Sequence, residues 1–301
     1  MKRTTVKRGL ALMLSTVLFL ALPFFFTQEV SAASKTKTFY VISETQTTYT
    51  NSDGSTEKNV TKYTYGKNGL CKSYVSKGYT PYSKTVFTRN SAGIVTNSKS
   101  YNEKGKLTGT VTNTVKNGRI VKSKQNEVDP KTGKKKLLST TTTTYKKGKP
   151  VKEVMKHANG AKSTATFNSK GVITKYVYAD SDSNSVSTYD KNGRIKSYTS
   201  SFTYNDGTTS KSKSTYSYKE TKNKHGDPVK TVETEKETRD GVTTTTVFTN
   251  TYKYTYKSGR IVKLTNTNTI KSDNFTSSSK YTTTRKYKAV KVPQKYWKFF
   301  E

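Results

Sequence analysis

One turn recurs along this chain: an aromatic or β-branched residue, a short polar stretch, a glycine, one further residue and an aliphatic side chain. Its fullest copies are Tyr189-Asp190-Lys191-Asn192-Gly193-Arg194-Ile195 and Tyr256-Lys257-Ser258-Gly259-Arg260-Ile261. Looser copies run from Tyr65 to Leu70, Phe87 to Ile94, Tyr101 to Leu107, Val115 to Ile120, Tyr145 to Val151 and Phe167 to Ile173. Self-similarity of this kind marks a repeat architecture, in which each unit completes its packing on its neighbours.

The repeated unit is a β-hairpin. Most glycines after residue 33 are 11 to 15 residues apart, the length of one strand plus a short turn. Many follow Asn or Asp, as in Asn117-Gly118, Asn192-Gly193 and Asp240-Gly241. Those dipeptides suit a type I′ turn, where both central residues need positive φ. Treating Asn117-Gly118 and Ser258-Gly259 as two-residue turns sets Val115 opposite Ile120 and Tyr256 opposite Ile261. Before the turns aromatics alternate at period two, as at Tyr252, Tyr254 and Tyr256. After them the spacing slips to three, as at Ile195 and Tyr198, which a bulge or an apolar contact on both faces explains. Short turns joining strands in chain order predict an all-β fold: an elongated antiparallel hairpin meander, a single sheet that is twisted or partly curled. The expected repeat domain spans 34–288, with an aromatic and basic C-terminal tail at 289–301 that packs on the last strand.

Residues 1–33 read as a secretory signal peptide. Lys2, Arg3, Lys7 and Arg8 precede an apolar run from Leu10 to Phe26, and Val30-Ser31-Ala32 or Ser31-Ala32-Ala33 supplies the cleavage site. Beyond it remain 51 Lys/Arg and 19 Asp/Glu, a formal charge of +32, and no long apolar stretch. That balance predicts a secreted or cell-wall-surface protein that attracts polyanions such as teichoic acid, acidic polysaccharide, lipid headgroups or released nucleic acid. Cys71 is the only cysteine, which excludes an intrachain disulfide.

The unit from Tyr189 to Ile195 resembles the YD repeat of Rhs and teneurin-type proteins, whose pattern is Tyr-Asp, two variable residues, Gly-Arg and an aliphatic. Tyr256 to Ile261 matches with one residue fewer and Lys in place of Asp. The resemblance implies a spiralling antiparallel sheet, which in that family encloses a toxin or binds carbohydrate at cell surfaces. This chain is more basic and more Thr-rich, carries no toxin domain, and is too short for the family's closed shell, so encapsulation is not expected of it.

No residue set announces catalysis, and neither an enzyme nor a cofactor is expected. His157 and His225 sit beside turn glycines without a second ligand nearby. Asp180 to Asn184 opens like a calcium loop, but Ser185 and Lys191 stand where Gly and Glu are needed, so a polar turn is expected and no metal. Glu233, Glu235 and Glu237 alternate along one strand face, with Lys236 and Arg239 as expected ion-pair partners. The residues expected to touch a polyanion or glycan are Tyr252, Lys253, Tyr254, Tyr256, Lys257, Arg260, Arg194, Arg119, Arg285 and Lys286. In these, rings stack on sugars while cations hold the anionic groups. Sequence therefore predicts a non-enzymatic secreted protein that binds an anionic glycopolymer, with no specific nucleic acid target. A structural or adhesive envelope protein without a specific ligand is the alternative, and a Thr-array ice binder a distant third.

Overall fold

A computed structural model describes residues 36–51, 53–78, 81–273 and 275–300, so the expected signal peptide lies outside the described residues. Among the described residues the chain forms eighteen strands. The first nine are β1 (Thr36–Thr50), β2 (Thr56–Tyr65), β3 (Cys71–Gly78), β4 (Ser83–Arg89), β5 (Val95–Tyr101), β6 (Leu107–Lys116), β7 (Arg119–Val128), β8 (Lys135–Lys146) and β9 (Lys149–His157). The rest are β10 (Lys162–Phe167), β11 (Ile173–Ala179), β12 (Ser183–Tyr189), β13 (Ile195–Thr203), β14 (Thr209–Lys222), β15 (Pro228–Arg239), β16 (Val242–Lys257), β17 (Arg260–Ser272) and β18 (Phe275–Pro293). A 3₁₀ helix, Gln294–Phe299, follows.

Each strand pairs antiparallel with the next in sequence, as the meander reading expects. The last then returns to the first: β1 and β18 pair from Thr36↔Pro293 to Thr50↔Lys280. The sheet is therefore a closed barrel, not the open or partly curled sheet read from the sequence. Shortness does not prevent closure, because eighteen short strands suffice for a ring. A regular cylinder of that strand number is roughly 35 Å across between facing walls. Among the described residues each strand touches only its two neighbours, and no strand crosses the interior.

Closure sorts the turns into two rims. Seven of the eight repeated units, starting at Tyr65, Phe87, Val115, Tyr145, Phe167, Tyr189 and Tyr256, lie at one rim, and Tyr101 to Leu107 lies at the other. All eight hairpins of the first rim carry a register shift just beyond the turn, for example between Thr188↔Ser197 and Tyr189↔Ile195. The slipped spacing after the turns is thus a bulge, and the pairs Val115↔Ile120 and Tyr256↔Ile261 form as expected. Type I′ geometry holds at Asn117-Gly118, Lys147-Gly148, Asp240-Gly241 and Ser258-Gly259, where both residues have positive φ. Asn192-Gly193 differs, since only its glycine has positive φ. There Asp190 caps a longer turn, its Oδ1 accepting the N–H groups of Asn192 (2.8 Å) and Arg194 (2.9 Å). Asn90, Asn168 and Asn223 accept the equivalent pairs of N–H groups.

A bulge leaves a main-chain carbonyl without a ladder partner, and a buried orphan of this kind is costly. Tyrosine hydroxyls fill the gap. Tyr145 donates to the Ile120 carbonyl (3.0 Å), Tyr287 to Ile261 (2.9 Å), Tyr254 to Pro228 (2.8 Å) and Tyr65 to Ile42 (2.5 Å). Each acceptor sits at a bulge, and each donor comes from the adjacent strand.

The chain's end closes over the bulged rim. Strand β18 extends to Pro293, so 289–293 belong to the barrel, and only the residues after it form the tail. Tyr296 and Val292 form an apolar cluster with Leu70, joined by Phe39, Val290, Trp297 and Phe300. The Tyr296 hydroxyl donates to the Ser91 carbonyl (3.2 Å) and the Trp297 Nε1 to that of Val292 (2.9 Å). The tail packs on the last strand, as expected.

Two substitutions isolate this docking. Gly93 and Gly105 both have positive φ, but a Cβ at Gly93 would meet Phe299 at 2.8 Å and Leu70 at 2.9 Å, whereas none lies within 4 Å at Gly105. Gly105→Ala should cost about 1 kcal/mol from backbone strain alone, and Gly93→Ala about 1–3 kcal/mol more from overpacking. Equal denaturant midpoints for the two would overturn the packing described. Separately, Tyr145→Phe should lower stability by about 1 kcal/mol, read as a Tm fall of about 2–4 °C; an unchanged Tm would mean the Ile120 carbonyl needs no partner.

Candidate functional site

Period-two alternation gives the wall two chemically different faces. Strand β14 shows the division most clearly: Lys211, Lys213, Thr215, Ser217 and Lys219 are exposed, while Ser212 and Ser214 between them are buried and Tyr216, Tyr218 and Glu220 half-buried. The crowded face is the concave one, because curvature draws its side chains together. Ser212 and Ser214 therefore point inward, and the lysines outward. Register carries this assignment from strand to strand around the ring.

The inner wall holds tyrosines, small polar residues and most of the strand carboxylates. On β16, Tyr252, Tyr254 and Tyr256 stack with centroids 6.4 and 6.0 Å apart. Asn266 lies opposite Tyr252 and Tyr281, and Tyr281 opposite Tyr49. Tyr216 donates to Glu235 (2.6 Å), and burial pushes its phenol well above the ordinary range, with the Glu235 contact adding to the shift. Burial raises the Tyr254 phenol to about 12. Burial also raises Glu153, which accepts a hydrogen bond from Thr143 (3.2 Å), and Glu233, where Glu235 adds to the effect.

The outer wall sets lysine and threonine side by side across the strands as well as along them. One row reads Lys152, Thr166, Lys175 over β9, β10 and β11. Another reads Lys253, Thr265, Thr282, Thr48, Lys58 from β16 round to β2. Lysines two strands apart stand about 10 Å from each other. Glu44 is the one strand carboxylate described on this face. It sits between Lys286 (2.8 Å) and Lys62 (3.8 Å), and its hydrogen bond to Lys286 holds its pKa below the ordinary range.

The sequence-derived contact set consequently splits into three groups. Tyr252, Tyr254 and Tyr256 face inward with Arg285, which lies opposite Thr45. Lys253, Lys257 and Lys286 face outward, so the interleaved tyrosines and lysines of β16 cannot grip one ligand together. Arg119, Arg194 and Arg260 form the third group at the bulged rim, each laid over a tyrosine of another strand. Arg194 lies 4.0 Å from the Tyr218 ring centroid and also pairs with Glu220; Arg260 lies 3.7 Å from Tyr40, and Arg119 5.8 Å from Tyr145. Such contacts join neighbouring hairpins, which explains the Gly-Arg of the repeat as architecture.

The other candidates resolve in the same way. Asp180 is a polar turn: its Oδ1 accepts from Asp182 and Ser183 while Oδ2 accepts from Tyr178, whose phenol that bond raises to about 12. Lys236 lies on the face opposite Glu235 and Glu237, so of the two expected cations only Arg239 pairs, with Glu237 at 2.8 Å. No group of three metal-type ligands occurs among the described residues. Sequence reasoning missed the lysine–threonine rows, since a row across strands is visible only once the register is known.

The half-buried carboxylates Glu153 and Glu233 give the inner wall a pH signature. A carboxyl raised on folding contributes stability that is fully present below its unfolded pKa and is lost as pH rises through the folded one. Glu153→Gln should therefore raise Tm at pH 7, with the gain disappearing below about pH 4, where both side chains are neutral. A gain of the same size at both pH values would show that Glu153 is not desolvated.

No protein-family model and no curated protein matches the chain. Two solved structures similar to it are porin-like proteins from Bacteroides uniformis and Bacteroides vulgatus. Each is 12% identical and covers 82% of this chain and 98% of its own, with TM-scores of 0.30 and 0.35. The TcdB2-TccC3-Cdc42 complex is 8% identical over 73% of this chain and 16% of its own, with a TM-score of 0.20. Likeness at this level leaves the functional reading to the residues of the chain itself.

Proposed function

We propose that this chain is an extracytoplasmic, non-enzymatic barrel that binds an anionic glycopolymer, teichoic acid or acidic polysaccharide, on its outer wall. One observation carries the reading: charge is segregated across the sheet, with rows of lysine outside and, among the described residues, Glu44 as their one strand carboxylate. A polymer of repeated negative charge can follow such rows over many strands, each contact releasing counterions. Threonine hydroxyls between the lysines offer hydrogen bonds to the same groups.

Neither wall offers the apolar band that acyl chains require. Lysines along the outer face would each cost about 2–4 kcal/mol at a bilayer midplane, and on the inner face Phe248, Leu264 and Ile270 are interrupted by glutamate, asparagine, serine, threonine and tyrosine. The barrel is accordingly read as standing in water, held to the envelope by charge. The resemblance of its turns to YD repeats agrees with a cell-surface setting. The alternative of a fibre-forming structural protein loses support, since edge pairing needs a free sheet edge and closure removes both.

The test is co-sedimentation of the mature protein with cell-wall sacculi, with and without teichoic acid, across a salt series and with duplex DNA as competitor. Binding should fall steeply with salt and disappear on stripping the acid polymer. Equally weak binding to both preparations at low salt would sink the proposal, and stronger competition by DNA than by teichoic acid would redirect it to nucleic acid.

A further inference from the structure

The outer wall is not uniform. Where β7, β8 and β9 meet near the far rim it carries a 390 Å³ hollow lined by Lys122, Leu137, Thr140, Thr142, Val154, Lys156, His157 and Ala158. Register sets Thr140 directly between Lys124 and Lys156, and Lys156 beside Lys162, so three lysines and a hydroxyl share one row across four strands. The next row sets Thr142 between Lys122 and Val154. None of these four lysines is in an ion pair among the described residues, and Glu153, the nearest strand carboxylate of β9, faces the interior and hydrogen-bonds Thr143. A register shift between Gln125↔Ser139 and Asn126↔Leu137 turns Leu137 to the outside, where it is 44% exposed. The bulge thereby adds an apolar wall to a cationic floor.

We infer that this hollow is a discrete phosphodiester subsite, with Lys122 and Lys156 holding the phosphate, Thr140 donating to it, and Leu137, Val154 and Ala158 covering the carbon chain of the attached polyol. The inference rests on the proposed glycopolymer reading and deepens it from diffuse attraction to a defined contact. Lysines converging from two sides provide a geometry that a flat lysine–threonine row lacks. The apolar wall distinguishes a phosphate ester from the bare ion, because only the ester brings carbon to cover it.

Isothermal titration of the mature protein at low salt with glycerol 3-phosphate, inorganic phosphate and poly(glycerol phosphate) tests this. The site pair Lys122→Gln/Lys156→Gln is compared with Lys213→Gln/Lys236→Gln, which removes the same charge from the outer wall of β14 and β15. The site pair should weaken glycerol 3-phosphate at least tenfold, and the control pair less than twofold. Leu137→Ser should weaken glycerol 3-phosphate several-fold and leave inorganic phosphate unchanged. Equal losses from both pairs, with polymer binding intact in the parent, would overturn the subsite and keep the glycopolymer reading. Polymer binding absent in the parent would overturn that reading, and saturable glycerol 3-phosphate binding sensitive only to the site pair would still establish the subsite.

Discussion

The antiparallel seam between β1 and β18 is the contact on which everything else depends. It joins residues at opposite ends of the chain, pairing Thr36 with Pro293 and Thr50 with Lys280. Without it the molecule is an eighteen-stranded ribbon with two exposed edges, an invitation to self-association. With it, every strand has two neighbours and the ladder is complete. Loop closure over so many residues is entropically expensive, and its return arrives only when the whole strand pairs. The apolar cluster of Leu70, Val292 and Tyr296 lies at the end of this seam, where it fixes the last strand in register with the first.

Few apolar side chains are fully buried elsewhere, so the wall is held by backbone ladders, small polar residues and tyrosine. The rim hairpins show how this works at the level of single atoms. A glycine in a left-handed conformation turns the chain, an Asn or Asp side chain caps the turn, and a bulge follows. The carbonyl freed by the bulge takes a tyrosine hydroxyl from the adjacent strand, and arginines after the glycine lie over tyrosines of other hairpins. Each repeat is incomplete until its neighbour folds beside it, which gives a physical meaning to the recurring aromatic, Gly-Arg and aliphatic residues.

Closure also sorts by face the charges that composition only counts. A formal charge of +35 attracts polyanions in any conformation, but an unfolded or flat chain would present lysine and glutamate together. In the barrel, Glu153, Glu233 and Glu235 are turned inward and partly desolvated, while Lys152, Lys175 and Lys253 face solvent. The outer potential is thus less neutralised by the protein's own acids than the sequence alone suggests.

The chain itself determined the strands, the turns and the bulges. Period-two aromatics, Asn-Gly and Asp-Gly dipeptides and the slipped spacing at Ile195 and Tyr198 are local signals, and the backbone obeys them because they act within one hairpin. The sequence also identified Tyr252, Tyr254 and Tyr256 as sharing a face, though it could not say that Lys253 and Lys257 are thereby lost to the other side of the wall as partners. Closure was beyond it, because the seam rests on hydrogen bonds between main-chain groups that carry no side-chain code. The lysine–threonine rows and the hollow at Thr140 were hidden for a related reason: Lys124, Thr140, Lys156 and Lys162 are scattered along the chain and become neighbours only when bulges and turns have fixed the register of four strands.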